Sequence, residues 1–116
     1  MNLDYLLILL NEIDNVNQQE KQSLENYLER LIENILKLQY WELEKGRDYK
    51  YWQTVVFNSR NFIRRLIKRN PSLKKHIEQV YPEIYRNAIR VWNFEFYIPK
   101  NTPIELEQIL DKSYYG

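Results

Sequence analysis

The sequence predicts an all-α protein, a small helical bundle of about four main helices followed by a short C-terminal helix. Three observations support this fold class. Apolar side chains recur at helical spacing along most of the 116 residues. No stretch alternates apolar and polar residues as a half-buried strand does, and glycine, which turn-rich β proteins need, occurs only twice. The length predicts one domain, residues 1–116, without an internal repeat or linker.

The first helix is predicted from about Leu3 to Asp14, with Asn2 as its N-cap. It contains an apolar run at residues 6–10, which is too short to span a bilayer and has no basic residue before it. We therefore expect a buried helix face, with no membrane segment. Asparagine favours caps and turns, so a break is expected at residues 15–17.

The second predicted helix is the longest, from Gln18 to Glu44. Its apolar residues follow steps of four and three, a heptad-like seam formed by Leu24, Leu28, Leu31, Ile35 and Leu38. The stripe is widened on one side by Ile32, Leu36 and Leu43, and on the other by Tyr27 and Trp41. Gly46 is the expected C-terminal cap.

The third helix is predicted from Tyr49 to Arg69 and is amphipathic. One side is apolar and comprises Trp52, Val55, Val56, Phe62, Ile63, Leu66 and Ile67. The other side is predicted to carry the cations Arg60, Arg64, Arg65, Lys68 and Arg69.

The fourth helix is predicted to begin at Asn70-Pro71, since asparagine suits the N-cap and proline the first helical position. Pro82 predicts a kink or break near Tyr81. Residues 93–101 have an irregular pattern but are apolar enough to pack on the bundle. A last short helix is expected to start at Thr102, capped by that residue with Glu105, and to end near Leu110.

Charge is sorted along the chain, although the net charge is only +1. Residues 1–44 carry nine acidic and three basic side chains, whereas residues 45–75 carry ten basic and one acidic. The third helix and its continuation therefore form a candidate basic surface, comprising Phe57, Arg60, Arg64, Arg65, Lys68, Arg69, Lys74 and Lys75. The favoured interpretation is a solvated face, or one paired with acidic residues of the chain itself. A polyanion (nucleic-acid) site and a surface for an acidic protein partner are the alternatives. The isoelectric point, about 7.9, is below that of a typical nucleic-acid-binding domain.

The composition offers little for catalysis or metal binding. Cysteine is absent, which suits a reducing, cytoplasmic compartment, and a single internal glycine excludes glycine-rich phosphate loops. The single histidine, His76, is predicted to be a surface or half-buried helix residue. Glu25, Glu29 and Glu33 form an acidic stripe, which we interpret as a solvated face. We therefore predict no catalytic residue, metal or cofactor. An enzyme with a site of carboxylate, tyrosine and arginine groups is the third hypothesis.

Several short segments, in order and spacing, resemble a bacterial family catalogued as domain of unknown function twenty-nine. These segments are Leu3-Asp4 with Glu12-Ile13, Glu20-Lys21 with Leu24, residues 35–40, Trp52 with Arg60, residues 70–73, Tyr85 with Ala88, and residues 106–111. The resemblance covers nearly the whole chain and implies a small helical bundle, with no activity attached.

Two departures from the family pattern accompany this resemblance. Members usually open with an extra helix, and this chain starts where that helix would end. The resemblance therefore implies an N-terminally shortened member with an apolar groove left open for another subunit. Members also tend to carry histidine and tryptophan where this chain has Asn34 and Leu38.

The functional prediction is a non-enzymatic, intracellular helical interaction module that self-associates or binds a protein partner. Aromatic residues make up 15% of the chain, and they are enriched at protein interfaces. Polyanion binding through the third helix is the alternative, with nucleic acid the less favoured partner.

Overall fold

The computed structural model describes residues 3–116, with the side chains of residues 10–16 and 43–45 left out. The chain forms α1 (Leu3–Tyr40), α2 (Glu42–Arg69), α3 (Leu73–Trp92) and α4 (Leu106–Leu110). The described residues contain no strand. The all-helical fold class predicted from the sequence is thus confirmed. Within the described residues, no helix combines the length and the apolar composition that a membrane-spanning segment requires.

Two predicted helix boundaries in the first half of the chain are wrong. The backbone stays helical through residues 15–17, so the first two predicted helices form one helix, α1. Asparagine disfavours a helix interior by less than about 1 kcal/mol per residue, which neighbouring residues can offset. Gly46 lies inside α2 and caps nothing. The predicted N-cap Asn2 lies outside the described residues.

The break between α1 and α2 falls instead at Trp41, the single non-helical residue between them. Its backbone N–H still donates to the carbonyl oxygen of Lys37 at 3.0 Å, but its ψ of 72° leaves the helical region. The Trp41 ring stacks on Trp52, with centroids 5.7 Å apart, and on Phe96, at 5.1 Å. This aromatic cluster fixes the corner at which the chain reverses.

The core is centred on α1, and the predicted seam is confirmed. Its five residues are all buried, as are Ile32 and Leu36 beside them; Leu43 lies outside the described side chains. From α2 come Trp52, Val56, Ile63 and Leu66, and from α3 come Leu73, Ile77, Tyr81 and Ala88. The predicted apolar sides of these helices therefore meet in one cluster.

α3 begins two residues later than predicted and does not break at Pro82. Asn70 and Pro71 form a turn, in which the Leu73 N–H donates to the Asn70 carbonyl oxygen at 3.0 Å. The helix then continues through Pro82 to Trp92. Proline leaves the carbonyl four residues earlier without its helical donor, but Pro82 is exposed, where water can replace that bond.

The segment after α3 is irregular and packs on the bundle, as predicted. Phe96, Ile98 and Ile104 are buried there, as is Ile109 in the helix that follows. The final helix begins at Leu106, later than expected, because Glu105 takes the N-cap position in place of Thr102. Glu105 and Gln108 satisfy each other's backbone N–H groups in a capping box. The helix ends at Leu110, as predicted.

The N-terminal end of α1 contradicts the prediction of a buried face. In the N-terminal arm, defined as residues 3–9, Leu7 and Ile8 are 59% and 56% exposed, and Leu3 is 72% exposed; Leu10 lies outside the described side chains. Arg69 at the end of α2 contacts Glu20, so α1 before residue 20 runs beyond the end of α2. None of the other helices in the described residues packs against residues 3–9 strongly enough to bury them, so the arm projects from the bundle.

Candidate functional site: a basic groove on the second helix

A groove of about 690 Å³ runs along the solvent side of α2. We call it the basic groove; its lining residues are Tyr27, Asn58, Asn61, Phe62, Arg64, Arg65, Lys68 and Lys112. Four of them are cations and none is acidic. The groove shares Arg64, Arg65 and Lys68 with the basic surface predicted from the sequence, and its other lining residues are not part of that prediction.

Arg60 does not belong to the exposed face, because its side chain is 2% exposed. Its Nε donates to the carbonyl oxygen of Ile109 at 2.9 Å, and its two Nη atoms donate to the carbonyl oxygens of Lys112 at 3.3 Å and Tyr114 at 2.5 Å. The guanidinium carbon lies 5.3 Å from the centroid of the Tyr115 ring. Burial lowers the pKa of this guanidinium, although arginine stays charged throughout the physiological range. Arg60 therefore holds the C-terminal segment on α2.

The sequence contains a sign of this burial that the prediction overlooked. Arg60 follows Val56 by four residues and precedes Ile63 by three, and both are fully buried. Residues at these spacings share a helix face. Arg60 thus lies on the apolar side of α2, where its length lets it reach the carbonyl groups of the chain's last residues.

The Arg60 contacts bring Lys112 into the basic groove, although this residue is not part of the surface predicted from the sequence. Arg64 extends the same contact, because its Nη1 donates to the Leu110 carbonyl oxygen at 3.3 Å. The exposed Asp111 carboxylate is held by the N–H and hydroxyl of Ser113, which keep its pKa below the usual range; Arg60 and Arg64 lower it further. Lys112 and α2 are distant in sequence, so no local pattern predicts their proximity.

Two aromatic rings, one from α1 and one from α2, line the groove. Tyr27 and Phe62 stack with their centroids 3.9 Å apart and their planes 22° apart. The guanidinium of Arg30 lies 5.1 Å from the Tyr27 ring centroid, within the range of a cation–π contact. Neither aromatic residue belongs to the surface predicted from the sequence, because both lie on the predicted apolar sides of their helices.

The remaining residues of the predicted basic surface lie outside the groove. Arg69 pairs with Glu20, with 3.4 Å between Nη2 and Oε1, so the predicted pairing with the chain's own acids applies to this residue. Lys74 and Lys75 are exposed at the start of α3 and do not line the groove. Phe57 is 55% exposed and lines a second hollow of about 480 Å³, with Lys50, Gln53, Thr54 and Tyr115.

The other predicted candidates occupy separate places. His76 is half-buried, as predicted, with its Nε2 3.4 Å from Oε2 of Glu25. The acidic stripe is not uniformly solvated, because Glu33 is half-buried and burial raises its pKa. Among the residues that the structure describes, no group of three or more histidine or acidic side chains is placed to hold a metal ion.

The fold and the groove define a small all-helical bundle whose second helix presents a cationic surface. The chain belongs to the family described as Domain of unknown function DUF29, whose model matches residues 2–115. The resemblance noted from the sequence is therefore confirmed. No similar curated protein and no similar solved structure was found.

Proposed function

We propose that this chain is an intracellular, non-enzymatic interaction module that self-associates through its N-terminal arm. The observation that carries the proposal is the exposure of the arm's apolar side chains. Leu3, Tyr5, Leu6, Leu7, Ile8 and Leu9 are each at least 36% exposed. A helix that is apolar on all sides is normally buried, so an exposed one supports a docking role.

The occupant that we propose is the arm of a second copy. The six side chains expose several hundred Å² of largely apolar surface, somewhat less than the roughly 800 Å² that each partner contributes to a stable interface. Two arms can pack on each other without any charged or polar partner group, because each presents the same apolar surface to the other. Such an isologous contact is the commonest route to a closed dimer.

The size of the arm predicts an association that depends on protein concentration. A contact below the standard interface area is expected to be weak, with a dissociation constant of about micromolar order. The mass of the protein should therefore rise from that of a 14.4 kDa monomer toward that of a dimer or larger assembly as its concentration increases.

The proposal is tested by measuring mass across a concentration series by light scattering and sedimentation. Leu7→Glu with Ile8→Glu should hold the protein as a monomer, because burial of these charges in an apolar contact is unfavourable. Val91→Glu with Phe94→Glu is the matched control: these residues are 58% and 90% exposed but lie at the end of α3, and the control should associate like the original chain. A monomer at every concentration, or equal loss in both variants, would refute the proposal.

A further inference from the structure

We propose that the basic groove is a binding site for single-stranded nucleic acid. This inference concerns a different surface from the N-terminal arm and does not depend on self-association. It begins from the charge of the groove. Arg64, Arg65, Lys68 and Lys112 line it without any acidic neighbour in the lining, and no described residue forms an ion pair with Arg65 or Lys68. These cations can neutralise backbone phosphates.

The polar groups between the cations fit the same ligand. Asn58 and Asn61 line the groove with side-chain amides, which can donate to phosphate, sugar or base-edge acceptors. Arg64 and Arg65 carry guanidinium groups, whose planar donors match the geometry of a phosphate. The groove therefore offers both charge and directed hydrogen bonds.

An exposed aromatic ring lies on the same side of α2, at the N-terminal end of the groove. Phe57 precedes Asn61 by four residues, so the two share a helix face, and Phe57 is 55% exposed. Lys50 lines the hollow that contains this ring. A base can stack on such a ring only when it is not already stacked in a duplex. The ring therefore favours a single strand over a double helix.

The length of this surface suits a short stretch of strand. From Lys50 to Lys68 the helix rises about 27 Å, comparable with the smallest sites of about four nucleotides in other single-strand-binding folds. The arm of a second copy fits this surface poorly, because the arm is mainly apolar and the groove lining is mainly cationic and amide. An acidic protein segment is the competing ligand, and the experiment below separates it from nucleic acid.

The experiment measures binding of fluorescein-labelled oligouridine and oligothymidine of about 12 nucleotides by anisotropy, over a range of salt concentrations. With about four phosphate contacts, the slope of log affinity against log salt should be about −3. Arg65→Glu with Lys68→Glu should lower affinity by at least about tenfold and make the slope shallower. Phe57→Ala should lower affinity by about tenfold through lost stacking.

The matched control is Lys74→Glu with Lys75→Glu, which makes the same change in net charge on exposed lysines outside the groove. Its affinity should stay within about threefold of the original. Circular dichroism checks that each variant is folded. If Arg65→Glu with Lys68→Glu unfolds, Arg65→Gln with Lys68→Gln is used in its place. Three results would overturn the proposal: no binding by the original chain at low salt, equal loss in the control, or displacement of the oligonucleotide by polyglutamate at equal charge concentration.

Discussion

Arg60 is a buried cation whose hydrogen-bond partners are backbone carbonyl groups near the end of the chain. An arginine left in such a place without these partners would be strongly unfavourable. Its three donated bonds, to Ile109, Lys112 and Tyr114, stabilise the C-terminal segment against α2. The Arg60 side chain therefore has a structural role. It contributes to the basic groove only indirectly, because its hydrogen bond to the Lys112 carbonyl oxygen helps to position Lys112.

We expect Arg60→Met to lower the free energy of unfolding by about 3 kcal/mol, since three charge-assisted bonds to backbone carbonyl groups, one buried and two partly buried, are lost together. Hydrogen exchange should speed up in residues 109–115 more than elsewhere. Arg69→Met is the control: its side chain is 68% exposed and makes a surface ion pair, which contributes about 0–1 kcal/mol. Equal effects in chemical denaturation would contradict the role assigned to Arg60.

Glu33 gives the stability a predictable pH dependence. Burial is the main cause that raises the pKa of its carboxyl group, and the nearby Glu29 adds to it, while the Trp92 indole and Lys37 oppose the shift. A carboxyl pKa raised in the folded state means that the folded protein binds this proton more tightly than the unfolded chain. The bound proton therefore contributes its full stabilisation below the pKa of Glu33 in the unfolded chain. This stabilisation is lost as pH rises through the pKa of Glu33 in the folded protein.

Glu33→Gln should consequently stabilise the protein at neutral pH, because it removes the cost of a partly buried charge. The gain over the original chain should grow as pH rises from about 4 and level off above the folded pKa. Denaturation curves at a series of pH values measure it. Glu83→Gln, at an exposed position of α3, is the control for the general effect of removing one acidic charge. A constant difference between Glu33→Gln and the original chain at all pH values would exclude titration of Glu33 as its cause.

At the scale of helices, the apolar periodicity predicted the elements well and their boundaries less well. Leu24, Leu28 and Leu31 lie at the predicted seam because burial follows the helical repeat directly. The break at Trp41 could not be predicted, since it involves no glycine or proline. It coincides with the stacking of Trp41 on Phe96, a contact between residues far apart in sequence.

Gly46 shows how a local signal can mislead and provides a test of the corrected boundary. It lies in the interior of α2, it is exposed, and a Cβ atom there would meet nothing within 4 Å. Gly46→Ala should therefore stabilise the protein by about 0.5–1 kcal/mol, because alanine loses less backbone entropy in a helix. Thermal unfolding measures the gain. A loss of stability would show that residue 46 is not in a helix in solution.

Gly116 provides the control for Gly46→Ala, because an alanine at this position is expected to be unfavourable. Its φ of +102° disfavours an L side chain, and a Cβ atom would lie 3.1 Å from the Ile35 carbonyl oxygen. Gly116→Ala should bring no gain in stability and a small loss. The contrast between the two substitutions separates the effect of helix propensity from any general benefit of alanine.

At the scale of the molecule, the principal extents are 64 × 24 × 21 Å and the radius of gyration is 17.2 Å. A compact domain of this length would have a radius of gyration of about 13 Å. The difference reflects the length of α1, whose 38 residues span about 57 Å. The sequence predicted the apolar character of residues 3–9 but not their exposure, because exposure depends on where the other helices end.

In this elongated molecule the N-terminal arm, which we propose to associate, lies apart from the helical bundle that contains the core. The described side chains of the arm are exposed, and the first buried core residue among the side chains that the structure describes is Leu24. We therefore expect a chain that lacks residues 1–9 to fold, with a free energy of unfolding within about 1 kcal/mol of the original at low concentration, since little buried surface is lost.

The two chains should differ in how their thermal midpoint depends on concentration. Self-association stabilises the folded state by mass action, so the midpoint of the original chain should rise with concentration, whereas that of the shortened chain should stay constant. The two midpoints should converge on dilution. Calorimetry across a concentration series measures both curves. If the shortened chain were unfolded at all concentrations, the arm would be part of the fold. If the thermal midpoint of the shortened chain still rose with concentration, the associating surface would lie elsewhere on the bundle.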